Sequence, residues 1–216
     1  MPEPRGLEDL PYYAHLETEE SAPEEGERFD TALFRDLSFE GVHAGNLRFL
    51  ESAFTGVDFD GTHLRRSRFN DVWIDDCRMN SADLAETSWL DAEFSRTVLG
   101  GTALFDSMLT RVGFFGCKLV GTNLRNAELR DVTFTNCVMQ DVDFAEAVLT
   151  NVSFPGTRIS SLHVDGMKAE NVDLCGAPEI DVQSGYGSLA GVRITHVQLL
   201  HLAPALAQSL GLVLDD

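Results

Sequence analysis

The 216-residue sequence is short of positive charge: Lys and Arg total 16 against 35 Asp and Glu, a formal net charge of −19. A protein that grips nucleic acid by neutralising phosphates needs a basic surface, and so does one that docks on an anionic membrane. Neither direct nucleic-acid binding nor membrane association is expected. Long apolar runs are missing too, since none approaches the ~18 residues a membrane-crossing helix requires. The acidic N-terminus lacks the basic-then-apolar layout of a secretory signal. Only four cysteines occur, at irregular distances, which is no disulfide framework in a chain this long. A cytoplasmic protein with free thiols is the expectation.

What is present is unevenly spread. Residues 1–27 hold nine acids against Arg5 alone, with Pro2, Pro4, Pro11 and Pro23 and the run EESAPEEGE. This composition predicts a mobile acidic N-terminal arm, with a docking turn over Leu7–Leu16 as the alternative.

From Phe29 to Leu174 every fifth residue is apolar, thirty of thirty, where 44% apolar composition alone would give about thirteen. The residue two places earlier is small or β-branched almost throughout, as in Ala32, Val42, Ser52, Val57 and Thr62. Neither the helical period of 3.6 nor the strand period of 2 accommodates such spacing. A five-residue unit with two inward and three outward positions suits a chain that turns a corner at every repeat.

The units AELRD, ADLAE, TNLRN, VDFAE and VDLCG resemble the A-(D/N)-L-x-x repeat of the pentapeptide repeat family. The resemblance covers residues 27–176 and implies an all-β solenoid: a right-handed quadrilateral β-helix with four pentapeptides per coil. Thirty repeats then make 7.5 coils, about 36 Å at one strand spacing of ~4.8 Å per coil. Grouped by twenty, Phe29, Phe49, Phe69 and Trp89 stack on one face, and Phe34, Phe54, Ile74, Phe94, Phe114, Phe134 and Phe154 on the next. The solenoid is expected over 28–194, with an irregular last coil at 175–194 where Pro178, Glu179 and Ser184 disturb the register.

Residues 195–216 read as a C-terminal helical cap. Thr195 and Gln198 form a capping box, ahead of the apolar stripe Val197, Leu199, Leu200, Leu202, Leu206 and Leu210. Pro204 predicts a kink or two short helices. A solenoid end needs covering, and the gyrase-binding members of the family also dimerise through this segment. The same leucines are therefore candidates for a homodimer contact.

No G-x-S-x-G, H-E-x-x-H, G-x-x-x-x-G-K-[ST] or C-x-x-C occurs. Cys77, Cys117 and Cys137 fall at the small inward position. His43, His63 and His163 share an outward one without a third metal ligand. No enzyme activity, cofactor or metal is expected. The remaining candidate is a surface: residues 71–106 carry Asp71, Asp75, Asp76, Asp83, Glu86, Asp91, Glu93 and Asp106 against Arg78 and Arg96. Over 1.8 coils this net −6 approaches the linear charge density of duplex DNA. Resemblance to the loop-free quinolone-resistance members implies a DNA mimic that binds a type II topoisomerase (DNA gyrase) and protects it from inhibitors. A scaffold with another protein partner stays open as the alternative.

Overall fold

In a computed structural model describing residues 3–212, the chain winds as a parallel-strand β-solenoid of about eight turns closed by a single C-terminal helix. Pairs such as Phe29↔Phe49 and Phe34↔Phe54 fix the coil at twenty residues. Each coil has four sides, called here the first to fourth faces, which carry Phe29, Phe34, Phe39 and Ala44 and their twenty-residue successors. Of the thirty apolar repeat positions, all but Phe29 and Ala169 are buried, and those two pack against the same core.

The rings stack along the axis as the sequence grouping predicts. Phe69 and Trp89 lie 3.8 Å apart and 4° from parallel, and Phe94, Phe114 and Phe134 follow at 4.6 and 4.7 Å. The small inward residues have their own ladder: Thr102, Thr122 and Thr157 hydroxyls donate to the carbonyls of Met79, Leu99 and Phe134 at 2.6 to 2.8 Å. Cys117 and Cys137 stand in the same role, each thiol 3.5 Å from the carbonyl of Phe94 or Phe114. The four cysteines are free, and burial pushes the Cys77 thiol up to about 12.

The corner is a backbone conformation. Every fifth residue from Thr31 to Asn171 has positive φ, and twenty of these twenty-nine are Gly, Asp or Asn. Those three residues enter the left-handed region at least cost. Much of the rod's acidity therefore has a conformational reason.

The N-terminal segment is not the mobile arm that its composition predicts. Residues 3–20 form a strap on the second face. Residues 24–27 pass under the first coil at Gly45 and Arg48, where the Gly26 N–H donates to the Gly45 carbonyl and the Arg48 N–H to the Glu27 carbonyl, both at 3.0 Å. β1 (Glu17–Glu19) pairs in parallel with Ala32–Phe34, at an offset of fifteen residues instead of twenty. Leu10 and Tyr12 bury against the outward side chains Leu33, Ala53 and Trp73, with Leu7 and Leu16 alongside. The Trp73 indole donates to the Arg5 carbonyl at 3.1 Å, and Arg5 clamps Glu93 through its backbone N–H (2.7 Å) and Nε (2.9 Å). The alternative reading, a docking turn over Leu7–Leu16, is the one that forms: four apolar residues there pack in one cluster with the outward Trp73.

At the other end the register shifts twice: Ile159 pairs with Ile180 at an offset of twenty-one, Leu162 with Val182 at twenty, and His163 with Ser184 at twenty-one again. α1 (His196–Ser209) is one helix running through Pro204, not two. The carbonyl this proline leaves without a helical partner belongs to Leu200, which is 71% exposed and open to water. Thr195 and Gln198 form the expected capping box at 2.7 and 3.2 Å. Residues 213–216 of the predicted cap lie outside the described residues. Among the described residues no helix is long and apolar enough to cross a membrane.

Candidate functional site

The eight acids of residues 71–106 do not form one patch. Asp71 and Asp91 sit at the corner between the first and second faces, Asp75 and Glu93 on the second face, and Asp76 at its far corner. Asp83 lies on the opposite, fourth face, with Glu86 and Asp106 at the corner beyond it. A slice of sequence nearly two coils long wraps around the whole rod.

Charge is also shared between coils, which a count along the chain misses. Arg96 pairs with Asp75, Arg65 with Asp83 (2.6 Å) and Glu86 (3.7 Å), Arg111 with Asp91 (2.6 Å), and Arg5 with Glu93. Arg78 turns away to Asp58. Five of the eight acids thus have a cationic partner, three of those partners from outside the slice. Asp71, Asp76 and Asp106 have none among the described residues.

The electrostatics follow from this. Burial, then the neighbouring Asp91 and Glu51 carboxylates, hold the Asp71 carboxyl above its ordinary value. Burial does the same to Asp75, against the pull of Arg96. The hydrogen bond from Arg111 holds Asp91 below it. Glu51, Asp71, Asp91 and Asp131 align on one corner, with Arg111 between the last two, and a groove of about 410 Å³ runs beside them.

The helix stripe divides. Leu202 is buried in the rod's core and Leu206 packs against it. Val197, Leu199, Leu200 and Leu210 are exposed, with Leu212 beyond them. Gln198 does more than cap: its amide donates to the carbonyls of Leu174 (2.8 Å) and Ala177 (2.7 Å), closing the last coil. The capping box was the only sequence signal for this residue. His43 and His63 stack at 4.2 Å, and His63 lies 3.5 Å from Asp83. Among the described residues no three potential ligands come together as a metal cluster.

Residues 32–71 match the family model described as pentapeptide repeats (8 copies), and residues 107–177 the model described as pentapeptide repeat region, together just over half of the chain. The chain belongs to the pentapeptide repeat family. No curated protein matches this pentapeptide repeat chain. Similar solved structures include a trypsin-treated form of QnrB1, a plasmid-mediated fluoroquinolone resistance protein (18% identity, 92% of this chain and 95% of that one, TM-score 0.34). They also include HetL, involved in heterocyst differentiation regulation in the cyanobacterium Nostoc sp. strain PCC 7120 (13%, 74% and 91%, TM-score 0.28). A third is Rfr23 from the cyanobacterium Cyanothece 51142 (17%, 76% and 91%, TM-score 0.24). Likenesses this distant fix neither shape nor partner.

Proposed function

We propose that this pentapeptide repeat protein is a non-catalytic interaction rod, and that it occupies the DNA-binding surface of a type II topoisomerase such as DNA gyrase in place of duplex DNA. Protection of that enzyme from inhibitors such as quinolones would follow from displacing the DNA that such drugs need. The observation that carries the reading is where the strap lies. The net −5 of residues 3–20 runs beside the corner column, and with Glu51 and Asp71 makes −7. Spread over the first four coils, about 19 Å, this compares with about eleven charges on the same length of duplex.

The test is a supercoiling assay with purified gyrase. The full chain is expected to inhibit at micromolar concentration, less so as salt rises. Replacing exposed strap and corner acids together (E8Q, E17Q, E20Q, E51Q, D71N) is expected to weaken inhibition about tenfold, a loss near 1.4 kcal/mol. Inhibition unchanged by these substitutions would overturn the assigned surface.

The proposal includes a homodimer joined through the exposed side of α1 (Val197, Leu199, Leu200 and Leu210). Sedimentation of the wild type as a monomer at tens of micromolar would overturn this part; L200E is expected to give that monomer. One observation favours a different protein partner: inter-coil arginines pair with four of the eight acids and the strap's Arg5 with a fifth, which suits a solvated surface of mixed charge rather than one kept uniformly negative.

A further inference from the structure

We propose that the first face is a second interaction surface, fitted to an acidic amphipathic helix of a protein partner. The proposal is independent of the topoisomerase reading, which concerns the strap side. Arg28, Arg48 and Arg68 lie in direct register on successive coils. Like charges directly opposite in a ladder destabilise it.

Six other arginines of the rod are compensated by neighbouring coils. Arg65, Arg78, Arg96, Arg111, Arg125 and Arg193 each find a carboxylate on a neighbouring coil. On the first face only Arg28 is engaged, with Asp30 in its own strand at 3.0 Å. Arg48 and Arg68 are exposed, have no ion pair among the described residues, and flank a groove of about 190 Å³ with Leu50 and Asn70. Their repulsion is uncompensated within the chain, and an external anion would offset it.

The rest of the face says what kind of anion. Beyond the arginines the ladder continues through Ser88 to Met108, which is 53% exposed, with Leu90 partly exposed beside it; the exposed Glu128 then separates Met108 from Val148, which is 38% exposed. Apart from Tyr13, Met108 and Val148 are the only large exposed hydrophobics outside the C-terminal segment among the described residues. The phosphate backbone by which a nucleic acid binds gains nothing from a methionine. A helix carrying acids at one end and leucines at the other complements both halves. Its i to i+3 advance of ~4.5 Å also lies close to the ~4.8 Å between coils, whereas same-side residues of an extended peptide are ~6.7 Å apart. Arg28 to Met108 spans four coils, about 19 Å, or about thirteen helical residues.

The probe is a labelled helical peptide with Glu at i, i+3 and i+7 in its first half and Leu on the same stripe in its second; its control has Gln for Glu. Fluorescence anisotropy with the full chain is expected to show micromolar binding of the Glu peptide only. R48Q/R68Q is expected to weaken it about tenfold, and M108D by a similar factor. R48Q/R68Q should melt at or above the wild-type temperature, because removing the repulsion stabilises the ladder, so lost binding is not lost fold. Equal binding of both peptides, binding of neither at about 100 μM, indifference to R48Q/R68Q, or preference for a single-stranded oligonucleotide would each overturn the proposal.

Discussion

At the N-terminal end of the rod, β1 supplies backbone partners to Ala32–Phe34, and the strap then climbs the outside over Trp73 to Glu93. At the C-terminal end no strand is added. α1 lies across the opening, Leu202 enters the core, and the Gln198 amide satisfies the carbonyls of Leu174 and Ala177. A parallel coil edge exposes unpaired backbone groups. The two ends show that either another backbone or one well-placed amide satisfies them. The strand leaves a second, external apolar cluster on the surface, whereas the amide leaves an apolar helix side open to solvent.

The largest test of this contrast is W73A. It removes the ring that anchors the strap and is expected to cost about 3 kcal/mol, read by denaturant unfolding. Protease cleavage within residues 3–20 should increase while the middle coils stay resistant. If the strap stayed protected, the external cluster would not be what holds it.

Q198A should cost less, about 2 kcal/mol, because it leaves two buried carbonyls without a donor and halves the capping box. Hydrogen exchange is expected to quicken in α1 and residues 174–184, with the strap unchanged. E93Q keeps an acceptor for Arg5 but loses the charge, for about 1 kcal/mol, and its effect should be confined to the first residues of the strap.

The smallest effects are pH-dependent and opposite in sign on two successive coils of one corner. With its carboxyl held above the usual range, Asp71 binds a proton more readily folded than unfolded, so its ionisation costs stability as pH rises. D71N is therefore expected to stabilise at pH 7, within about 0.5 kcal/mol, and the gain should vanish below the ordinary carboxylate value of 3.8. Asp91, held low by Arg111, contributes stability above that value and loses it as pH falls through its depressed one. D91N should destabilise at pH 7 and match the wild type in acid. Thermal melts across pH 3–8 check both.

The core was legible because the inward position of every repeat is apolar, as Trp89, Phe114 and Leu129 show. The corners were legible in part: glycines such as Gly116 stand out, while Asp71 or Asp91 reads as charge before it reads as a left-handed turn. The candidate acidic patch was the least legible. The partners of Asp83, Asp91 and Glu93 lie 18, 20 and 88 residues away, and no linear window contains them all. The six-residue helix stripe ran two roles together, because Leu202 and Leu200 look alike until the last coil is in place beneath one of them.

By itself, then, the sequence determined the solenoid and its twenty-residue coil, because a pattern repeated thirty times admits one way of burying all its large side chains together. Tertiary structure alone decided which outer charges meet, where the strap lies and which leucines of α1 face inward. Those depend on single contacts between residues far apart in the chain, and no repetition along the sequence averages over them.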